Sequence, residues 1–151
     1  MADCDHCQHP LSDRRFYLDR TVEYFSYSGE LQDGIPEHIQ ATVLECDSIK
    51  HFCCAGCAEI ETPQVLHSLG LKILPPTIGP AATCAKCNGV VDMTAPHVSY
   101  SLMEATKIKQ PWLTHLDVHN DEYLCVVCNQ CDGQLVEAES VEVEEKVCEI
   151  A

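Results

Sequence analysis

The chain has 151 residues and a net charge of −15 with its histidines neutral. Such a surface repels a phosphate backbone, so it disfavours nonspecific nucleic-acid binding and favours a protein partner, a basic one by charge complementarity. Length permits one ordinary domain or two small ones, and twelve cysteines, several times common usage, mean that disulfides or metal ions organise whichever forms.

The first ten residues, "MADCDHCQHP", carry no basic region followed by an apolar one, and nowhere is there an apolar run long enough to span a bilayer. A cytoplasmic protein without membrane attachment is expected. There thiols stay reduced, and paired cysteines bind metal more often than each other. The same stretch holds Cys4 and Cys7, the first of four C-x2-C pairs.

In chain order, "RFYLDRTVEYFSYS" is rich in β-branched and aromatic residues and predicts a strand. Its two-residue alternation sets Tyr17 and Phe25 on one face and Phe16 and Tyr24 on the other, one face to pack and the other to contact a partner or the second unit. The Gly- and Pro-bearing "GELQDGIPE" predicts a loop, "HIQATVLE" a second strand, "CDS" a tight turn and "IKHFC" a third strand, leading to Cys54 and Cys57. Then "TPQVLHSLG" predicts a short helix with Thr62 as N-cap, Pro63 in first position and Gly70 past the end. The Pro-rich "LKILPPTIGPAAT", residues 71–83, reads as a linker.

The second half repeats that order. After Cys84 and Cys87 come a strand at "APHVSYSLMEATKI", a loop at "KQP", a strand at "WLTHLDVH" with Trp112 as core anchor, a turn at "ND", and a strand at "EYLCV" before Cys128 and Cys131. Residues 135–151 form an acidic tail with six Glu and one Lys. The expected architecture is mainly β with little helix. Residues 1–70 form one three-stranded antiparallel unit with a trailing helix, 71–83 the linker, and 84–134 a second three-stranded unit. Neither unit, at about 50 residues, buries enough apolar surface to stand on its core alone, so a metal staple is needed.

Two C-x2-C turns present four sulfurs to one ion, which suits tetrahedral Zn²⁺. The expected ligand sets are Cys4, Cys7, Cys54 and Cys57, and Cys84, Cys87, Cys128 and Cys131, for two Zn²⁺ per chain. Cys53, His6, His9 and His51 are alternate ligands for the first site, as are Cys125 and Cys148 for the second. Otherwise Cys46, Cys53 and Cys125 read as small apolar core residues. Gly89 and Gly133, two positions past their cysteines in "CAKCNG" and "CNQCDG", are expected where a knuckle needs a residue tolerant of positive φ.

This layout resembles the zinc-ribbon class over residues 4–57 and 84–131, and the resemblance implies cysteine knuckles clamping small antiparallel sheets. The "CDHCQH" and "CAGCAE" stretches depart from it in lacking the glycine. Rubredoxins likewise hold iron between two such knuckles. A run of Cys125, Cys128 and Cys131 with distant Cys148 resembles an iron–sulfur pattern, though Cys148 is not followed by proline.

No G-x-S-x-G, phosphate-cradling glycine loop or H-E-x-x-H occurs. A zinc held by four cysteines also has no open position for water. The expectation is therefore a non-enzymatic zinc protein with two structural sites that acts as a protein-interaction or regulatory module. Electron transfer by iron is the alternative. A nucleic-acid-binding ribbon is disfavoured by the charge and by nine Lys and Arg in all.

Overall fold

A computed structural model describes residues 3–32, 35–76 and 79–131. The β-branched and aromatic run at 15–28 forms most of β1, Arg14–Gln32, which pairs antiparallel with β2, Ile35–Phe52, so most of the "GELQDGIPE" expected as a loop is strand. Helix α1, Ala55–Ser68, follows. The short strands β3, Ala81–Thr83, and β4, Val90–Asp92, precede a second long hairpin of β5, His97–Gln110, and β6, Leu113–Val127.

The two expected three-stranded units are not what forms. The "CDS" stretch makes no turn: β2 runs straight through it, pairing Cys46 with Thr21 and Ser48 with Asp19. Its short polar side chains serve as cross-strand partners, Ser48 Oγ donating to Asp19 Oδ1 at 2.7 Å. The irregularity is taken up as register shifts opposite Leu18/Asp19 and Val22/Glu23, which leave Ile49 and Leu44 as extra residues. β6 treats "ND" the same way, its shifts leaving Leu124 and His119 unpaired on either side of it.

Each half thus contributes one long hairpin, and the hairpins join into a single antiparallel sheet of order β2-β1-β5-β6. The joining ladder runs from Arg14↔Thr106 to Glu23↔His97. It crosses the boundary expected at residues 71–83. Within that segment Leu71 is buried, and Leu74 donates its N–H to the Leu124 carbonyl.

Beyond the shared ladder the two strands of each hairpin pair with each other, β1 with β2 and β5 with β6. Trp112 sits at the far tip of β5–β6, next to Leu113, and is 85% exposed, so it is not a core anchor. The core lies instead on one face of the ladder. There Leu18, Val22, Phe52, Val98, Tyr100, Cys125 and Val127 cluster with Ala58 and Leu66 of α1. The opposite face is buried but polar in its middle, with Asp19, Glu23, His97, Ser99 and Ser101.

α1 starts well before the expected Thr62. Cys54, with extended backbone, is its N-cap, and Thr62 and Pro63 lie inside it. Proline is tolerated because Pro63 is on the exposed side of the helix, where the carbonyl it leaves unpaired can reach water. The C-terminus falls where expected. Gly70, at φ +76°, donates to the His67 carbonyl and Leu71 to that of Leu66, a Schellman closure with Leu66 and Leu71 both buried.

Candidate metal centres

Backbone hydrogen bonds fold the first cysteine pair into a knuckle. Cys4 N–H donates to the His9 carbonyl and Gln8 N–H to that of Cys4, with Asp3 and Pro10 bridging at its base. The same bonds recur in the second half: Cys84 donates to Gly89, Asn88 to Cys84, and Thr83 pairs with Val90. The turn requires one left-handed residue, which is Gln8 at φ 66° in the first knuckle and Asn88 at φ 62° in the second.

Gly89 therefore has a different reason from the expected one. A Cβ there would stand 3.2 Å from Cys87 Sγ, too close for comfort, and its bare N–H donates to that sulfur at 3.4 Å. In the first knuckle the matching residue is His9, whose Nδ1 lies 3.2 Å from Cys7 Sγ. Gly133 lies outside the described residues.

Each knuckle is then tied to the end of a long strand. Asp5 N–H donates to the His51 carbonyl near the end of β2, and Ala85 N–H to that of Val126 near the end of β6. The residues just past those strands are Cys53 and Cys128, and both complete a cluster. Cys4, Cys7, Cys53 and Cys57 form one group, and Cys84, Cys87, Cys128 and Cys131 the other, with all sulfurs of a group within 4.8 Å of one another.

The second group is the set expected from sequence. The first holds Cys53 in the place assigned to Cys54. As helix N-cap, Cys54 is exposed, whereas Cys57, one turn into α1, points inward on the helix's buried stripe. Cys53 Sγ is 3.5 Å from Cys7 Sγ and 3.8 Å from Cys57 Sγ.

In the second group Cys87 Sγ lies 3.7 Å from Cys128 Sγ and Cys84 Sγ 3.9 Å from Cys131 Sγ. A tetrahedron with Zn–S bonds of about 2.3 Å has S···S edges of roughly 3.8 Å. Both donor sets fit such an ion in size and in kind.

The electrostatics prepare one sulfur in each group. Burial raises the Cys4 thiol, but N–H groups of Cys7, His6 and Cys53 outweigh it and bring it down to about 6. Cys84, buried likewise but facing the N–H groups of Cys87, Cys128 and Lys86, also falls to about 6. Their neighbours go the other way. Cys53, hydrogen-bonded to Cys7 and partly desolvated, is pushed up to about 12, as is Cys131 through Cys128 and burial. A divalent cation bound by such a group would take the place of the remaining thiol protons and release them, keeping every sulfur as a ligand.

None of the alternate histidines joins a cluster. His6 Nδ1 pairs with Glu61 Oε1 at 2.8 Å, which ties the knuckle to α1. His51 stacks edge-on against Tyr17, and burial, then the nearby Arg15 charge, lowers its pKa. Cys125 is buried outside both groups, and burial, then the Cys84 charge, pushes its thiol up to about 12. Cys148 and the acidic tail lie outside the described residues.

The sequence placed Cys54 in the first ligand set and kept Cys53 as an alternate, and the structure reverses the two. The signal for Cys53 was present: "HFC" and "VVC" each put a cysteine directly after the last strand residue. Comparison with models of protein families, with curated proteins and with solved structures finds no match.

Proposed function

We propose that the protein is a non-enzymatic zinc-binding module in which two structural Zn²⁺ ions fix a four-stranded sheet for recognition of a protein partner. The observation that carries this is the size of the two sulfur groups, each within 4.8 Å throughout and with neighbouring sulfurs at 3.5 to 3.9 Å, which suits a tetrathiolate zinc. Cys4, Cys7, Cys53 and Cys57 hold one ion, and Cys84, Cys87, Cys128 and Cys131 the other. Matching hydrogen bonds in the two knuckles support reading the halves as repeats of one unit.

The residues themselves do structural work. Each ion clamps a knuckle to the end of a long strand, and the first also to α1 through Cys57. Four thiolates leave no coordination position for water, which supports a module without chemistry at the metal. Charge supports the partner's nature: −15 on the chain, and a further −2 from each tetrathiolate zinc, favour a basic protein. Among the described residues no helix is long and apolar enough to cross a membrane.

The test is metal content by mass spectrometry with a visible spectrum of the same sample. Two zinc per chain without colour supports the proposal. Iron with visible absorption sinks it in favour of electron transfer, since a rubredoxin-like iron takes the same tetrahedron.

A further inference from the structure

Past Glu23, where β1 leaves its ladder with β5, the segment around β3 and β4 is held against the first hairpin. Phe25 donates its N–H to the Met93 carbonyl, and the Tyr27 hydroxyl donates to the Gly79 carbonyl at 2.7 Å. Between them is a cavity of about 170 Å³ lined by Phe25, Tyr27 and Tyr123, together with Ile39, Pro76 and Met93. That is below the roughly 300 Å³ at which drug-sized sites begin, and suits one side-chain head group.

Three aromatic rings converge there. The Phe25 centroid is 6.2 Å from that of Tyr27, tilted 39°, and 6.5 Å from that of Tyr123, at 67°. On another side His97 stacks on Phe25 at 5.6 Å, which fixes its ring. Both tyrosine hydroxyls are already committed, that of Tyr123 to Glu23 Oε1 at 3.0 Å. The walls therefore offer π-faces and aliphatic groups and little hydrogen bonding. Behind Tyr123 stands the Glu23 carboxylate, 2% exposed. The Tyr27 hydroxyl is raised mainly by burial, with smaller contributions from the Asp92 and Glu23 charges.

Aromatic faces and a carboxylate attract a cation. Apolar walls reject one that must hydrogen-bond: a primary ammonium or a guanidinium would leave buried N–H groups without acceptors. A quaternary ammonium satisfies both conditions, presenting methyl groups to the walls and spread positive charge to the rings. We infer that this cavity receives a trimethylammonium group. Resting on the protein-interaction reading above, its source is a trimethylated lysine side chain of the basic partner.

The experiment is an NMR titration of the metal-loaded full chain at constant ionic strength, following the amides of Phe25, Tyr27 and Tyr123. The probes are tetramethylammonium, choline, the uncharged isostere of choline with carbon in place of nitrogen, and short peptides with trimethylated or unmodified lysine. Saturable shifts with tetramethylammonium, and about tenfold weaker binding of the uncharged isostere, are expected. Phe25→Leu, which keeps apolar volume but removes a ring, should weaken tetramethylammonium about tenfold while the remaining spectrum stays dispersed.

Equal affinity for the uncharged isostere, or no saturation with any cation, overturns the inference. Choline binding as tightly as the trimethylated peptide upholds the trimethylammonium site and overturns the partner as its source. Capture of a partner that binds the Phe25→Leu protein equally well would leave the interaction reading intact while removing the cavity from it.

Discussion

Cys53 Sγ lies 3.5 Å from Cys7 Sγ, at the residue directly after β2, just as Cys128 follows β6 and lies 3.7 Å from Cys87. Adjacent Cys54 is the exposed N-cap of α1. Cys53→Ser is therefore expected to lower metal content from two ions per chain to one, and Cys54→Ser to leave it at two. Metal analysis of both variants decides, and the reverse result would return Cys54 to the ligand set.

Cys87 and Cys125 separate ligation from packing in the second half. Cys87→Ser should lose the second ion and several kcal/mol of stability, since structural zinc binding is folding free energy. Cys125→Ser places a hydroxyl where a fully buried thiol sits, at a cost of about 1 to 3 kcal/mol. Its metal content should not change. Equal metal loss in both would refute the ligand assignment.

Asp19 gives the protein a pH dependence of unusual sign. Burial, with a smaller contribution from the Asp121 charge and against the Ser48 hydrogen bond, raises its pKa from 3.8 to about 6. Between those values the folded chain holds a proton that the unfolded chain releases. This group's contribution is complete below the unfolded value and is lost as pH rises through the folded one. Asp19→Asn should thus be more stable than the parent by about 1 to 2 kcal/mol at pH 8 and no different near pH 3. Thermal melts at both pH values test it.

Trp112 is 85% exposed, beside Leu113 at 54%, so Trp112→Ser should change stability by no more than about 0.5 kcal/mol. If the hairpin tip contacts the partner, the same change weakens capture of that partner in a pull-down. A drop in melting temperature comparable to that of a core deletion would contradict its placement.

Leu66→Ala, by contrast, removes a side chain that is 1% exposed and both seals the sheet face and closes the helix end. A loss of about 2 to 5 kcal/mol is expected in denaturant melts.

What the sequence showed was mostly local. The C-x2-C pairs, the strands expected at residues 15–28 and 95–108 and found at 14–32 and 97–110, and Gly70 at the helix end all follow from short-range chemistry. Three things were hidden for identifiable reasons. "CDS" and "ND" carry turn residues, yet bulges let a long strand absorb them. "CCAGC" has the spacing of a knuckle, which masked the first turn of α1 and the claim of Cys53. The pairing of β1 with β5 joins residues from 74 positions apart at Glu23↔His97 to 92 apart at Arg14↔Thr106, and hydrophobic alternation says which face a strand buries without saying which strand lies beside it.

That pairing also sets an order of events during synthesis. β1 leaves the ribosome with β2 on one side only, and the Arg14–Glu23 edge that β5 will cover stays open until residue 106 has emerged. An open edge of that length is a template for another chain. Slow, non-local closure prolongs its exposure. Metal captured early by Cys4, Cys7, Cys53 and Cys57 would hold the first hairpin in shape while it waits, which would make metal supply during translation a determinant of yield as much as of final stability.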